Sequence, residues 1–160
     1  MQFTILIDNR EKLPWTFESV QQAGYPVRLA VTRNATADYS IEGGTDLIAI
    51  ERKSLVDFQG TMGLATDMAG NRKRDRFERE IARMQDIQQS YIVVEAPLSR
   101  VLRAGEAIKG QLAKLLLIRA ILRLKKRYTR TRWIFARDRA EAETLSYLLM
   151  AKAAKRLKRP

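Results

Sequence analysis

At 160 residues and a net charge of +12, with 46% hydrophobic and 30% charged residues, the chain is long enough for one domain around a sizeable core and too short for two comfortable ones. Cysteine and histidine are both absent, which excludes disulfides, Cys/His zinc sites, a cysteine nucleophile and a histidine base, and leaves oxygen-ligated Mg²⁺ or Mn²⁺ as the available metal chemistry. The apolar region Leu112 to Leu124 is broken by Lys114, Arg119 and Arg123, and the N-terminal apolar run is short with no basic leader, so neither a membrane span nor a signal peptide is expected and the expected location is intracellular, in cytoplasm, nucleoid or nucleus.

Gln2 to Ile7 reads as a buried strand ending at Asp8, and Leu13-Pro14 breaks the chain before a short helix around Phe17 to Ala23. Val27 to Thr32 and Asp38 to Ile41 alternate like paired strands, with Gly43-Gly44 turning into a strand from Asp46 to Lys53. Gly60, Gly63 and Gly70 mark a mobile loop over about residues 60–71. Arg72 to Gln88 carries Phe77, Ile81 and Met84 at helical spacing; a strand Tyr91 to Glu95 and a break at Pro97 follow. A long helix from Gln111 to Lys126, a strand from Arg132 to Ala136 and a closing basic helix over about residues 140–156 complete the chain. Strands alternating with helices predict an α/β sandwich built on a central mixed β-sheet.

Charge is unevenly placed. Residues 1–70 hold 6 Lys/Arg against 9 Asp/Glu, whereas residues 71–160 hold 24 against 9, and Arg100 to Arg139 alone contains 13 basic residues with only Glu106 and Asp138 as acids. Such self-repulsion calls for an anionic partner, and nucleic acid is the first choice. The closing helix has Leu145, Leu148, Leu149 and Ala153 on one side and a basic end. It fits core packing, a membrane surface or a dimer face, with core packing favoured because an apolar sheet needs both faces covered.

The sharpest local signal is ERKSLVDF, Glu51 to Phe58, at the exit of the apolar strand. Alternation along a strand projects Glu51 and Lys53 from one face and Arg52 from the other. A carboxylate and an amine sharing a pocket suit metal-assisted phosphodiester cleavage: the acid holds a hard cation and the amine polarises the attacking water or neutralises charge on phosphorus. Twelve residues separate Asp38 from Glu51, which suits an acid on one strand of a hairpin facing an acid on the next, where two carboxylates suffice as core ligands for Mg²⁺, and suits equally a polar residue beside a turn. Ser54 and Asp57 have capping-box spacing, so Asp57 reads equally as a helix cap.

IDNREKLPW (Ile7 to Trp15), ADYSI (Ala37 to Ile41), ERKSLVD and NRKRDRFEREIARM (Asn71 to Met84) together resemble the nuclease domain of XPF-type structure-specific endonucleases, of the PD-(D/E)XK superfamily. The resemblance covers the chain from about Thr4 to the final helix and implies the restriction-endonuclease-like fold. It implies a Mg²⁺- or Mn²⁺-dependent endonuclease cutting DNA near branches, flaps or junctions, on branched or partly single-stranded substrates, and working as a homodimer or heterodimer. A catalytically silent DNA-binding subunit of a nuclease dimer is the alternative. The family usually adds a tandem helix-hairpin-helix domain, and none is expected within residues 1–160, which read as a single nuclease domain.

Residue by residue, the resemblance makes Asp38 the signature aspartate beside Glu51 and Lys53. It brings Asp8, Arg10 and Glu11 to the same pocket, Asp8 and Glu11 as further metal ligands and Arg10 as a phosphate clamp or an orienting group. Asp57 belongs to the active-site motif in a supporting role, and Arg52 reads as an internal salt-bridge partner. Arg76 matches a position near the cleft, with Arg72, Lys73 and Arg74 as less specific DNA phosphate contacts. Trp15 and Tyr39 could stack on an unpaired base, although isolated aromatics more often serve as core. One element departs from the pattern: Ala37 stands where the family has glycine, and the backbone freedom of glycine is lost.

Overall fold

In this computed structural model, residues 2–62 and 68–157 are described. Of the expected glycine loop, Gly60 lies inside a helix and Gly70 inside the next, while Gly63 falls outside the described residues. Six strands, β1 (Phe3–Asp8), β2 (Val27–Thr32), β3 (Tyr39–Ile41), β4 (Ile48–Lys53), β5 (Gln89–Val94) and β6 (Thr131–Phe135), form one mixed sheet in the order β2-β1-β3-β4-β5-β6. Helices α1 (Glu18–Gln22), α2 (Leu55–Thr61), α3 (Met68–Met84), α4 (Leu98–Arg127) and α5 (Arg139–Leu157) connect and cover it. Parallel pairs β1–β2, β4–β5 and β5–β6 take helical crossovers, whereas β3 runs antiparallel to both of its neighbours.

The alternating sequences of β2 and β3 suggest a pair, but β1 inserts between them, and neither strand buries alternate residues: β3 is buried throughout, while Leu29 and Val31 of β2 are exposed. Alternation reports which faces of a strand differ and carries no information about its neighbour.

Strand β5 shows why the sheet must be covered on both sides. Tyr91 and Val93 join a core with Ile5, Ile7, Ile48 and Ile50 under α1 and α5, while Ile92 and Val94 join Phe58, Phe77, Ile81, Leu117 and Leu124 under α2, α3 and α4. Burial on both faces makes the middle strands read as continuous apolar runs. Trp15 and Tyr39 belong to the first core, 1% and 0% exposed, with rings stacked 4.6 Å apart, so neither offers a face to a base.

Three helices differ from their expected form. α3 spans Met68–Met84 against the expected Arg72 to Gln88. α4 begins at Leu98, with Pro97 as its N-cap, and Gly110 sits within it at φ 73°, in the left-handed region that glycine tolerates. The expected start at Gln111 marks that irregularity rather than the helix end. α5 packs on the sheet as core: Ala142, Tyr147, Met150, Ala153 and Ala154 are buried and the expected Leu145 and Leu149 pack against them, but Leu148 is 53% exposed. Met150→Ala should therefore cost about 2–5 kcal/mol, whereas Leu148→Ala should stay within about 0.5 kcal/mol. Urea denaturation of the two variants checks the assignment, and equal losses would contradict it.

Candidate active site

Three strand ends, those of β1, β3 and β4, open onto one cleft of about 440 Å³, lined among others by Asp8, Arg10, Glu11, Asp38, Glu51, Arg52, Lys53, Asp57, Lys73 and Arg76. Register explains the convergence. Tyr39 on β3 pairs antiparallel with Ile50 on β4, so Asp38 and Glu51 are the next residues at the same end of the two strands. β1 delivers Asp8 there too, because the Asp8 N–H donates to the Asp38 carbonyl at 2.8 Å.

Glu51 is 7% exposed, and its Oε1 accepts from Lys53 Nζ at 2.7 Å, as same-face placement on the strand requires. Lys53 Nζ also lies 4.9 Å from the centre of the Phe77 ring, a cation–π contact that fixes its direction. Asp38 Oδ2 accepts the backbone N–H of Arg52 at 2.8 Å. Burial pushes the Asp38 carboxyl well above the usual carboxylate range, and the Glu51 charge adds to the rise. Burial also raises Glu51, with Lys53 opposing and Glu80 and Glu11 reinforcing. Lys53 is desolvated as well, which works against its charge, yet Glu51 and Asp38 hold it above the ordinary lysine value. The result is two proton-hungry carboxylates and one firmly charged ammonium in one pocket.

Asp8 has a different surrounding. Its Oδ1 accepts from Arg10 N and Nε, and its Oδ2 from Arg10 Nη2 and the Asn34 N–H, all within 2.7–2.9 Å. Desolvation opposes these bonds, but they prevail and hold the carboxyl below its usual value. Asp8 and Arg10 thus brace the exit of β1. Glu11 Oε1 caps the Leu13 N–H at 2.8 Å and meets Arg52 Nη1 at 3.2 Å.

Arg52 points away from Lys53, into the structure. Its Nε and Nη2 make a forked pair with Glu95 at 2.7 and 2.9 Å, and Glu95 also accepts from Trp15 Nε1 and Arg139 Nη1. Asp57 is exposed; its N–H donates to Ser54 Oγ at 3.1 Å and its carboxylate accepts the Ser54 hydroxyl at 2.7 Å, a cap on α2 at the rim of the cleft. Lys73 and Arg76 line the cleft from α3. Arg72 and Arg74 are not among its walls: Arg74 pairs with Asp75 at 3.6 Å and borders a second groove between α3 and α4.

Several cleft or supporting groups lie outside the sequence-derived set. Glu80 and Arg83 join Arg76 and Phe77 on one face of α3, and helical spacing from Phe77 carries that signal. Glu95 leaves β5 beside Lys53, whose pairing partner is Val94. Its strand-exit position, like that of the Glu51–Lys53 element on β4, was the available clue. Asn34, 6% exposed, ties the Asp8 and Asp38 segments together and has no local sequence signature.

The ERCC4 domain model matches residues 7–149. The chain belongs to the ERCC4 domain family, the XPF-type nuclease family. Among solved structures it is similar to XPF from Aeropyrum pernix, at 19% identity and a TM-score of 0.62, over 98% of this chain and 62% of that one. A second structure of that protein, in complex with DNA, matches at 19% identity and a TM-score of 0.65, over 96% of this chain and 66% of that one. This ERCC4 domain therefore spans less than two thirds of those chains and shares their restriction-endonuclease-like fold. No protein of curated function matches the chain.

The donor set fits a hard divalent cation. Among the described residues no three acids form a ready cage, but Mg²⁺ commonly takes one or two carboxylates and completes its shell with other oxygens. Asp38 and Glu51 each commit one oxygen to the bonds above and keep the other, and their raised proton affinity comes first from burial and then from neighbouring carboxylates.

A carboxylate bound more tightly to its proton when folded loses native stability as pH rises from the ordinary carboxylate value through its raised one. Asp38→Asn keeps an acceptor for Arg52 N–H and deletes that charge. In EDTA at neutral pH it should raise the thermal midpoint, by about 2–4 °C for each kcal/mol recovered at this chain size, and the gain should vanish in acid. A lowered midpoint at neutral pH would show the Asp38 charge to be satisfied without metal.

Proposed function

We infer that this ERCC4 domain is a metal-dependent endodeoxyribonuclease that hydrolyses phosphodiester bonds near branches, flaps or junctions. The observation that carries the reading is the pairing of a buried carboxylate, Glu51, and a half-buried one, Asp38, both of raised proton affinity, with a charged lysine, in a cleft whose other wall is the basic helix α3. Asp38 and Glu51 would hold Mg²⁺ or Mn²⁺, with Glu11 beside them. The cation, when bound, polarises the phosphoryl group and acidifies the attacking water.

The chain's own residues supply the rest. Lys53 keeps its proton and sets a point charge against the negative charge that builds on the phosphate oxygens as water attacks and the P–O bond breaks. Arg76 and Lys73 on the cleft wall, with Arg72 and Arg74 nearby on α3, hold the DNA backbone by displacing its counterions. Arg52, clamped by Glu95, presents its backbone N–H to Asp38 and so orients that carboxylate. Asp8 and Arg10 keep the β1 exit closed around Asn34.

Lys53→Ala should abolish cleavage while leaving DNA affinity within about threefold, because one lysine among many basic groups adds little to counterion release. Single-turnover cleavage and equilibrium binding on a labelled flap substrate measure the two separately. Wild-type cutting by Lys53→Ala would remove the lysine from the chemistry. Equal inactivity of wild type and variant, with binding intact, would favour the silent-subunit reading.

The partner we assign is a second copy of the chain. One face of α4 exposes Leu112, Leu115, Leu116 and Leu122, at 66, 58, 52 and 60%, opposite its buried Ala113, Leu117 and Leu124. A leucine stripe backed by a rigid buried face suits an isologous contact, in which the same stripe serves both protomers. Leu115→Glu with Leu122→Glu should convert a sedimenting dimer to monomer; a monomeric wild type would contradict homodimerisation, and association only with a related subunit would replace it.

A further inference from the structure

The residue before Asp38 adopts a backbone conformation unusual for its type. Ala37 has φ 62°, in the left-handed region where a Cβ crowds the backbone, and it is 4% exposed. Such a turn persists only where neighbours hold it. On the downstream side the sheet does so, since the Asp38 N–H donates to the Ile50 carbonyl at 3.1 Å. On the upstream side the Ala37 N–H donates to Glu80 Oε1 at 2.8 Å, across 43 residues of sequence. Glu80 is itself steadied by an ion pair with Arg83, one turn further along α3.

We propose that Glu80 is a positioning residue: by holding the Ala37 N–H it keeps the turn left-handed and thereby aims the Asp38 carboxylate into the cleft. The proposal deepens the nuclease reading and rests on it for its functional consequence. Ala37 is too buried for water to replace the lost acceptor readily, so without Glu80 the turn is held from its Asp38 side alone, and its upstream half relaxes toward the right-handed or extended regions. A shift of that one residue would swing Asp38 away from Glu51. Glu80 also faces the cleft, where its charge raises the Glu51 carboxyl and acts on Arg10. The rival role is therefore that Glu80 works by its charge, as a third acid at the cation.

Acceptor and charge are separable. Glu80→Gln retains an amide oxygen for the Ala37 N–H and loses the charge; Glu80→Ala loses both. Glycine at position 37 takes positive φ without help, so Ala37→Gly should make the turn independent of Glu80. Mn²⁺ affinity by calorimetry and single-turnover cleavage are read on each variant and on the double variant. Positioning predicts that Glu80→Ala weakens Mn²⁺ binding and the cleavage rate by about tenfold or more, the scale of one lost buried hydrogen bond. It predicts that Glu80→Gln stays within about threefold, and that Ala37→Gly restores most of the loss in the Glu80→Ala background. A Glu80→Gln variant as poor as Glu80→Ala, with no rescue by Ala37→Gly, would overturn positioning in favour of charge.

Should the wild type neither bind Mn²⁺ nor cut, the nuclease reading fails, and amide exchange decides the positioning claim alone. Glu80→Ala must then speed exchange at Ala37 and Asp38 relative to the rest of β3, with Ala37→Gly slowing Asp38 again. Unchanged exchange would overturn it.

Discussion

The structure depends on placing Asp38, half-buried, and Glu51, buried, side by side at the ends of two adjacent antiparallel strands. Bringing like charges together out of water is unfavourable, so nearly every neighbouring feature compensates. Lys53 closes on Glu51 from the same strand face, and the Arg52 N–H closes on Asp38 from the strand backbone. Beneath them the Arg52–Glu95 fork, joined by Glu11, Arg139 and Trp15, secures the β4 exit to β5, to α5 and to the β1–α1 connection. Those supports fix the positions of the acids without neutralising both. Burial and repulsion among the carboxylates keep both carboxyls raised despite these supports, and the divalent cation of the proposed function would sit there.

The same reasoning accounts for the division of charge along the chain. The acidic first 70 residues build the pocket, and the basic remainder builds α3, α4 and α5 around it. α3 is the joint between the halves: Phe77 and Ile81 anchor it in the core, Lys73 and Arg76 line the cleft, and Glu80 reaches back to Ala37. DNA gripping this helix would act on the same element that steadies the Asp38 turn.

Much of this was legible in the sequence, for physical reasons. β4 could be placed because a run buried on both faces ends abruptly in three charges, and period-two geometry then settled which pair with each other. The Ser54–Asp57 cap was equally local. What escaped were features made by distant partners. The insertion of β1 between β2 and β3 is a choice among strands of similar pattern, and α4 extends thirteen residues N-terminal to its expected start at Gln111, through Gly110 in the left-handed region. The buried side of α5 is centred on alanines, Tyr147 and Met150, with the expected Leu145 and Leu149 at its margin and Leu148 turned to solvent, since close approach to a sheet favours small residues at the centre. Ala37 is the most instructive case. Replacing glycine should forfeit the left-handed turn, yet the turn is present and Glu80 is bonded to it.

The central claim is that the cleft exists to hold a divalent cation against DNA. Its most direct test is incubation of the purified wild-type chain with end-labelled duplex, flap and splayed DNA in Mg²⁺, in Mn²⁺ and in EDTA. The account predicts cuts near the branch in either metal and none in EDTA. Undiminished cutting in EDTA, or intact DNA under every condition despite tight binding, would contradict it.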